Sequence, residues 1–235
     1  MSGFGAYGKM PALGDFFRLG AAREFVTPWD IWLQTTLLAA RKSLGTRFED
    51  CYMSAPIWRF ALPPSIAGTQ GVVGVLMPSV DRVGRQFPLT LVAQTGYEEQ
   101  AALRNLIWQA PVLEGLEALA LDALDDTMTR EGLGERLAML ALRPMGLPSR
   151  ILTAGSSLVL SGEVPDLFCA DLALDLAGGQ LHRACAWSAT IEGSARLVLT
   201  SGLPQDAVAT GLFDLTGHPS AGHPSTGHSG KGQPA

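Results

Sequence analysis

Three glycines and a lysine near the start of the chain, Gly3, Gly5, Gly8 and Lys9 in GFGAYGKM, satisfy two phosphate-binding spacings at once. Gly3, Gly5 and Gly8 fit G-x-G-x-x-G, while Gly3, Gly8 and Lys9 fit the opening of G-x-x-x-x-G-K-[ST]. Either pattern holds phosphate only where a buried strand runs into a tight turn whose backbone N–H groups open a helix. Here only two residues precede Gly3, Met10 stands where Mg²⁺ needs a hydroxyl, and Pro11 removes a backbone donor. These glycines therefore call for a backbone role and not for a phosphate.

Other reactive groups are sparse. The sequence has no G-x-S-x-G, HExxH or CxxC, and His182 is its only histidine outside the C-terminal tract. Asp15 and Asp81 could form an acid–base pair, or a serine and an aspartate could join His182, but no spacing selects either set. In the C-terminal tract His218, His223 and His228 recur every five residues among Gly, Pro and Ser. Such tracts bind Zn²⁺ or Ni²⁺ weakly, yet this spacing puts no two of the histidines on one helix face and prolines interrupt it. Residues 216–235 are expected to be a disordered tail, because they hold too little apolar material to fold. No catalytic, cofactor-binding or metal site is expected, and an enzyme acting on a small molecule or nucleotide stays open only as an alternative.

Composition narrows the class further. The 235 residues are 47% apolar, enough for a substantial core, and 17 basic against 22 acidic residues leave a formal charge of −5. That balance disfavours binding to nucleic acid through general phosphate attraction. Cys51, Cys169 and Cys185 are odd in number and widely spaced in apolar surroundings, which reads as reduced core thiols. With no signal peptide and no long uncharged apolar run, a cytoplasmic protein without membrane insertion is expected.

The elements that must position these side chains follow from periodicity. Thr27-Pro28-Trp29-Asp30 reads as a helix start, with Thr27 as cap and Pro28 in the first turn. Leu33, Leu37, Ala40 and Leu44 continue the helix, which Gly45 ends. From Tyr52 the period becomes two, with Trp58, Phe60 and Leu62 on one strand face and Ile57, Arg59 and Ala61 on the other. Gly71 to Met77 is an apolar run suited to a strand covered on both faces, and Gln86 to Ala93 is a third strand; the short link PSVDRVGR makes these two antiparallel neighbours. Residues 98–144 carry Ala/Leu-rich helical spacing broken at Pro111 and at Gly132 to Gly134. Strand signals return in SRILTAG, SSLVLSG, HRACAWSA and SARLVLTS, before a final helix in PQDAVATGLFDL. The expected fold is α+β: a mostly antiparallel sheet flanked by helices, forming one unit over residues 1–215.

Several segments now become specific together. GAYGKMPALGDF, TPWDIWLQTTLLAARKSLG, APIWRFAL and GVLMPSVDRVGRQFPLTL resemble, in order and spacing, the signature segments of the TagF (ImpM) family of type VI secretion accessory proteins. The resemblance is dense from about Gly5 to Ala93. In the second half, where family members often carry Ser-Leu-Trp-Trp, this chain has Ser157-Leu158-Val159 and a lone Trp187 in a later strand. The resemblance implies a cytoplasmic regulator, not an enzyme, that represses secretion after translation by acting on the forkhead-associated scaffold protein of the apparatus. A structural secretion subunit with no regulatory output needs only the same protein-binding surface.

Two stretches supply candidate partner contacts. Lys9, Asp15 and Arg18 place charge beside Phe16 and Phe17, where an aromatic clamp with local ion pairing is the plainer reading. Asp81, Arg82 and Arg85 sit in a turn between two apolar strands, where paired arginines could grip a partner's carboxylates. Alternatively, Asp81 pairs with Arg85 or with Arg59 to brace the hairpin. Trp29, Trp32 and Trp58 are expected in the core.

Overall fold

The computed structural model describes residues 3–96, 101–154, 157–162, 167–177, 179, 181 and 183–214. The expected tail and His182 lie outside the described residues.

The uninterrupted apolar run GVVGVLM forms strand β4, Gly71–Met77, and every one of its residues is buried. A strand with both faces apolar must be covered on both, and β4 is the central strand of a seven-stranded sheet. With β1 (Phe4–Gly8), β2 (Phe17–Leu19), β3 (Trp58–Leu62), β5 (Leu89–Gly96), β8 (Cys185–Ile191) and β9 (Ser194–Thr200), the order is β2-β1-β5-β4-β3-β8-β9. All six pairings are antiparallel, as expected. Two further strands, β6 (Arg150–Ala154) and β7 (Ser157–Ser161), form a separate hairpin outside this sheet.

One face of the sheet is aromatic. Helix α1, Arg23–Leu44, lays Phe25, Trp29, Trp32, Leu33, Leu37, Ala40 and Leu44 against it at three- and four-residue steps. Trp29, Trp32 and Trp58 are buried, and the Trp29 ring lies 4.7 Å from Phe60 and 6.0 Å from Trp187, between centroids. Burial of each such side chain contributes roughly 1.5–3 kcal/mol. The helix begins four residues before the expected Thr27 cap, after Ala22, so Pro28 lies inside it. The extra turn buries Phe25 against Trp29, 5.2 Å between rings, which outweighs the one helical hydrogen bond that Pro28 cannot make. Gly45 ends the helix at a positive φ of 54°, its N–H donating to the Arg41 carbonyl.

The opposite face is aliphatic and is covered by α3 (Ala102–Trp108), α4 (Ala110–Asp122) and α5 (Arg130–Ala138), with Leu106, Leu113, Leu116, Leu133 and Leu137 in the core. Two helices escaped the sequence reading: α2, Phe48–Met53, lies where period-two spacing was expected to begin, and α6, Phe168–Leu176, lies between strand signals. Both are short, with too few turns for a helical period to stand out. Helix α7, Asp206–Thr210, closes the described chain against α1. The expected burial of all three cysteines fails at Cys169, which is exposed on α6, whereas Cys185 is buried and Cys51 half-buried.

Candidate functional site

Of the glycines of GFGAYGKM, Gly5 and Gly8 lie within strand β1 and permit close backbone approach, while Gly3 precedes it. A Cβ on Gly5 would come within 2.3 Å of the Ala21 nitrogen, and one on Gly8, at φ +133°, within 2.0 Å of the Pro88 carbonyl oxygen. With β1 thus pressed between β2 and β5, the chain leaves the sheet at Lys9 directly beside the loop that joins β4 to β5.

That loop is built on Asp81. Its Oδ1 accepts the backbone N–H groups of Val83 and Arg85 at 3.1 and 2.9 Å, an aspartate closing its own turn. Gly84 supplies the φ of +81° that the turn needs, and its N–H reaches the Asp81 carbonyl at 2.8 Å. At the base of the loop the Tyr52 hydroxyl of α2 donates to the Ser79 carbonyl at 2.8 Å and accepts the Ser79 N–H at 3.0 Å. Burial pushes that phenol's pKa upward.

The other carboxylate oxygen of Asp81 receives two cations. Lys9 Nζ lies 2.9 Å and Arg85 Nε 2.6 Å from Oδ2, with Lys9 5% and Asp81 2% exposed. Burial alone would raise the Asp81 pKa. Hydrogen bonds from Lys9, from the Arg85 N–H and guanidinium and from the Val83 N–H overcome it and hold the carboxyl far below the ordinary range. The arginines then reach across to the segment after β1: Arg82 donates from its backbone to Leu13 O at 2.9 Å and from its side chain to Ala12 O, and Arg85 Nη2 donates to Gly14 O at 2.6 Å. Two irregular segments, 9–16 and 78–88, are thereby locked into one rim.

The outer side of this rim is aromatic and cationic. Phe16 packs edge-on against Phe87 at 4.7 Å and lies over the Lys9 ammonium at 4.7 Å, yet remains 47% exposed. Val83, at the loop tip, is 71% exposed. Asp15 is exposed, its carboxylate accepting the Phe16 N–H at 2.8 Å; Arg18 is exposed opposite Tyr7 in the β1–β2 register. Tyr7 stacks near Phe16 and donates to Asp30 on α1, and burial followed by that hydrogen bond raises its pKa.

The structure thus brings Lys9, Asp81, Arg82 and Arg85 together, with Asp15 and Arg18 at the margin. It separates Arg59, a further candidate contact and the alternative to Arg85 as a brace for Asp81; Asp81 takes Arg85. Arg59 faces the aliphatic side of the sheet and makes a bidentate contact to Glu117 of α4, at 2.8 and 2.6 Å, which raises the pKa of its guanidinium. The residue faces away because Trp58 and Phe60, its neighbours along β3, are committed to the aromatic core. As for acid–base work, both oxygens of Asp81 are occupied by donors to an ionised carboxylate, which leaves it neither a proton to give nor a free lone pair aimed at a substrate. Among the described residues no His/Cys/Asp/Glu group could hold a metal ion, and no helix is long and apolar enough to cross a membrane.

Sequence reasoning missed Tyr52 and Phe87, which support the rim, and a second buried ion pair, Arg104 Nε to Asp171 Oδ1 at 2.6 Å. The visible signal for that pair was a charge within each of two apolar runs, ALRNLIW and FCADLALDL.

An antiparallel sheet clad on both faces, with loops 9–16 and 78–88 fastened at one end, matches a type VI secretion system-associated family over residues 5–140. The chain belongs to that family, the TagF N-terminal domain. The crystal structure of PA0076 from Pseudomonas aeruginosa PAO1, at 2.05 Å resolution, is 30% identical and superposes with a TM-score of 0.73 over 92% of this chain and 96% of that one. No curated protein matches the chain.

Proposed function

We propose that this protein is a cytoplasmic regulator that restrains type VI secretion by binding the forkhead-associated scaffold protein of the apparatus. Family membership supports the secretion role, and repression through the scaffold is what the family resemblance implies. The observation that carries a binding mode of action is the rim itself. Hydrogen bonds and ion pairs fix residues 9–16 and 78–88 before any partner arrives, so little loop-ordering entropy is lost on association.

The test has two parts. In a bacterium carrying the secretion system, deleting the gene is expected to raise secretion and overexpression to suppress it, with the scaffold's abundance unchanged. Calorimetric titration of the full chain with the purified scaffold protein is expected to give a saturable complex. Absence of binding, together with secretion indifferent to the gene, would overturn the proposal.

A further inference from the structure

The charges on the rim divide into those that neutralise one another and cations that have no counter-charge. Lys9, Asp81 and Arg85 are committed to one another. Arg18 and Arg82 are exposed and face no carboxylate among the described residues, Arg82 bracing the rim only through carbonyls; the exposed Arg41 lies over the Phe48 ring at 4.9 Å and reaches the loop through a 3.4 Å contact to Gln86. Next to these cations in the chain, the Phe16 ring two residues before Arg18 and the Val83 side chain after Arg82 are exposed.

From this division we infer that Arg18, Arg41 and Arg82, together with Phe16 and Val83, form a docking surface for an acidic segment of a folded protein partner, one that carries carboxylates around an apolar side chain. The inference rests on the protein-binding reading above and names its surface. Charge complementarity selects the occupant. The whole chain carries −5, whereas within segments 9–18 and 78–88 the exposed charges are Arg18, Arg82 and Arg85 against Asp15 alone, with Arg41 reaching in from α1. Asp30 beneath Tyr7 is half-buried and engaged by Tyr7 and Gln34. An acidic partner is thus favoured at this region over the net-acidic chain as a whole. Arginine favours carboxylates because its planar fork can bind them in pairs. The apolar pair favours a protein over a nucleic-acid backbone, since Phe16 and Val83 gain only from a neighbour that excludes water.

The experiment is amide NMR mapping on the full chain with three probes: a short Asp/Glu-rich peptide containing one Leu and one Phe, the same peptide with Gln and Asn in place of the acids, and a short oligothymidylate. The acidic peptide is expected to shift amides within 12–18 and 81–86, and the shifts to shrink as salt is raised; the neutral peptide is expected to leave them unmoved. Arg18→Glu combined with Val83→Ser, neither part of the brace, is expected to weaken the acidic peptide about tenfold or more while moving Tm by no more than about 2 °C. Equal response to the neutral peptide, shifts elsewhere on the molecule, preference for the oligothymidylate, or indifference to the double substitution would overturn the inference. The same variant titrated with the scaffold protein separates the two proposals. Undiminished scaffold binding removes this surface and leaves the regulator reading standing. A specific peptide response with no scaffold binding does the reverse.

Discussion

Two buried ion clusters fasten irregular segments to this fold, and they differ in what they leave over. The first, Lys9–Asp81–Arg85, ties two loops at one end of the sheet and places two cations on one carboxylate. The second, Arg104–Asp171, is balanced one to one. Arg104 also donates to the Gly146 and Leu147 carbonyls at 3.2 and 3.1 Å, while Asp171 accepts the Ser149 N–H at 2.8 Å, so the pair pins α6 and the approach to β6 onto α3. Lys9, Asp81, Arg104 and Asp171 are shielded from water, where an unpaired charge is expensive and a paired one specifies a geometry, while Arg85 reaches Asp81 from the exposed side. The balanced cluster presents nothing further to the outside. The unbalanced one sits under the exposed Phe16 ring, with Arg82 and Arg85 exposed on the same loop, the surface proposed above for an acidic partner.

The sharpest way to break the comparison is to remove the shared anion. Asp81→Asn is expected to lower Tm by more than any other single exchange at the rim, by upwards of about 5 °C, because Lys9 and Arg85 then face each other without a counter-charge. Its pH dependence carries the same information. The Asp81 carboxyl is held below its ordinary 3.8 in the native protein, so the unfolded chain takes up the proton first as pH falls. The stabilisation is fully present at neutral pH, begins to decline below about pH 5, and goes on falling until the native carboxyl protonates. Chemical denaturation from pH 7 to pH 3 should show the wild type's advantage over Asp81→Asn narrowing. Parallel curves would mean that Asp81 is not the anchor.

Asp171→Ala tests the balanced cluster. It strands Arg104, which is only 7% exposed, and is expected to cost about 3–5 kcal/mol in denaturant unfolding with scaffold affinity unchanged. If the affinity fell as well, the contrast between the two clusters would fail. A smaller effect is expected at Trp58, whose indole N–H donates to the Leu212 carbonyl at 2.8 Å. Trp58→Phe keeps most of the apolar area but leaves that buried carbonyl unsatisfied, a loss of about 1–3 kcal/mol by calorimetry. Smallest of all is Arg59→Gln. The salt bridge to Glu117 is partly exposed, so about 1 kcal/mol or less is expected, with no change in binding.

How much of this was legible beforehand depends on the range of the interaction. Helix α1, the central strand β4 and the β4–β5 pairing were readable because periodicity and a short link specify them locally. The packing of Trp29, Trp32 and Trp58 followed from the same spacing. At the rim, bracing and binding were evenly matched possibilities for Asp81, and what decided the matter, the approach of Lys9 from 72 positions earlier, depends on where β1 docks in the sheet. The choice between Arg85 and Arg59 stayed open for a similar reason, since Glu117, which pairs with Arg59, lies on a helix whose facing side no local pattern reveals. The helix start at Arg23 was hidden by a proline that usually marks a first turn. Asp171 belonged to a helix too short to show its period.

The sheet order has a consequence for how the protein is made. The family match ends at residue 140, yet β3 has β8 as its second neighbour, Trp187 closes the aromatic cluster, and the Trp32 and Trp58 indoles donate to carbonyls of Pro204 and Leu212. A nascent chain emerging from the ribosome therefore carries β3 as an open edge, with two indole donors lacking acceptors, until its last described residues have been synthesised. The recognisable half arrives first but cannot finish its own core until residues 185–212 have followed it.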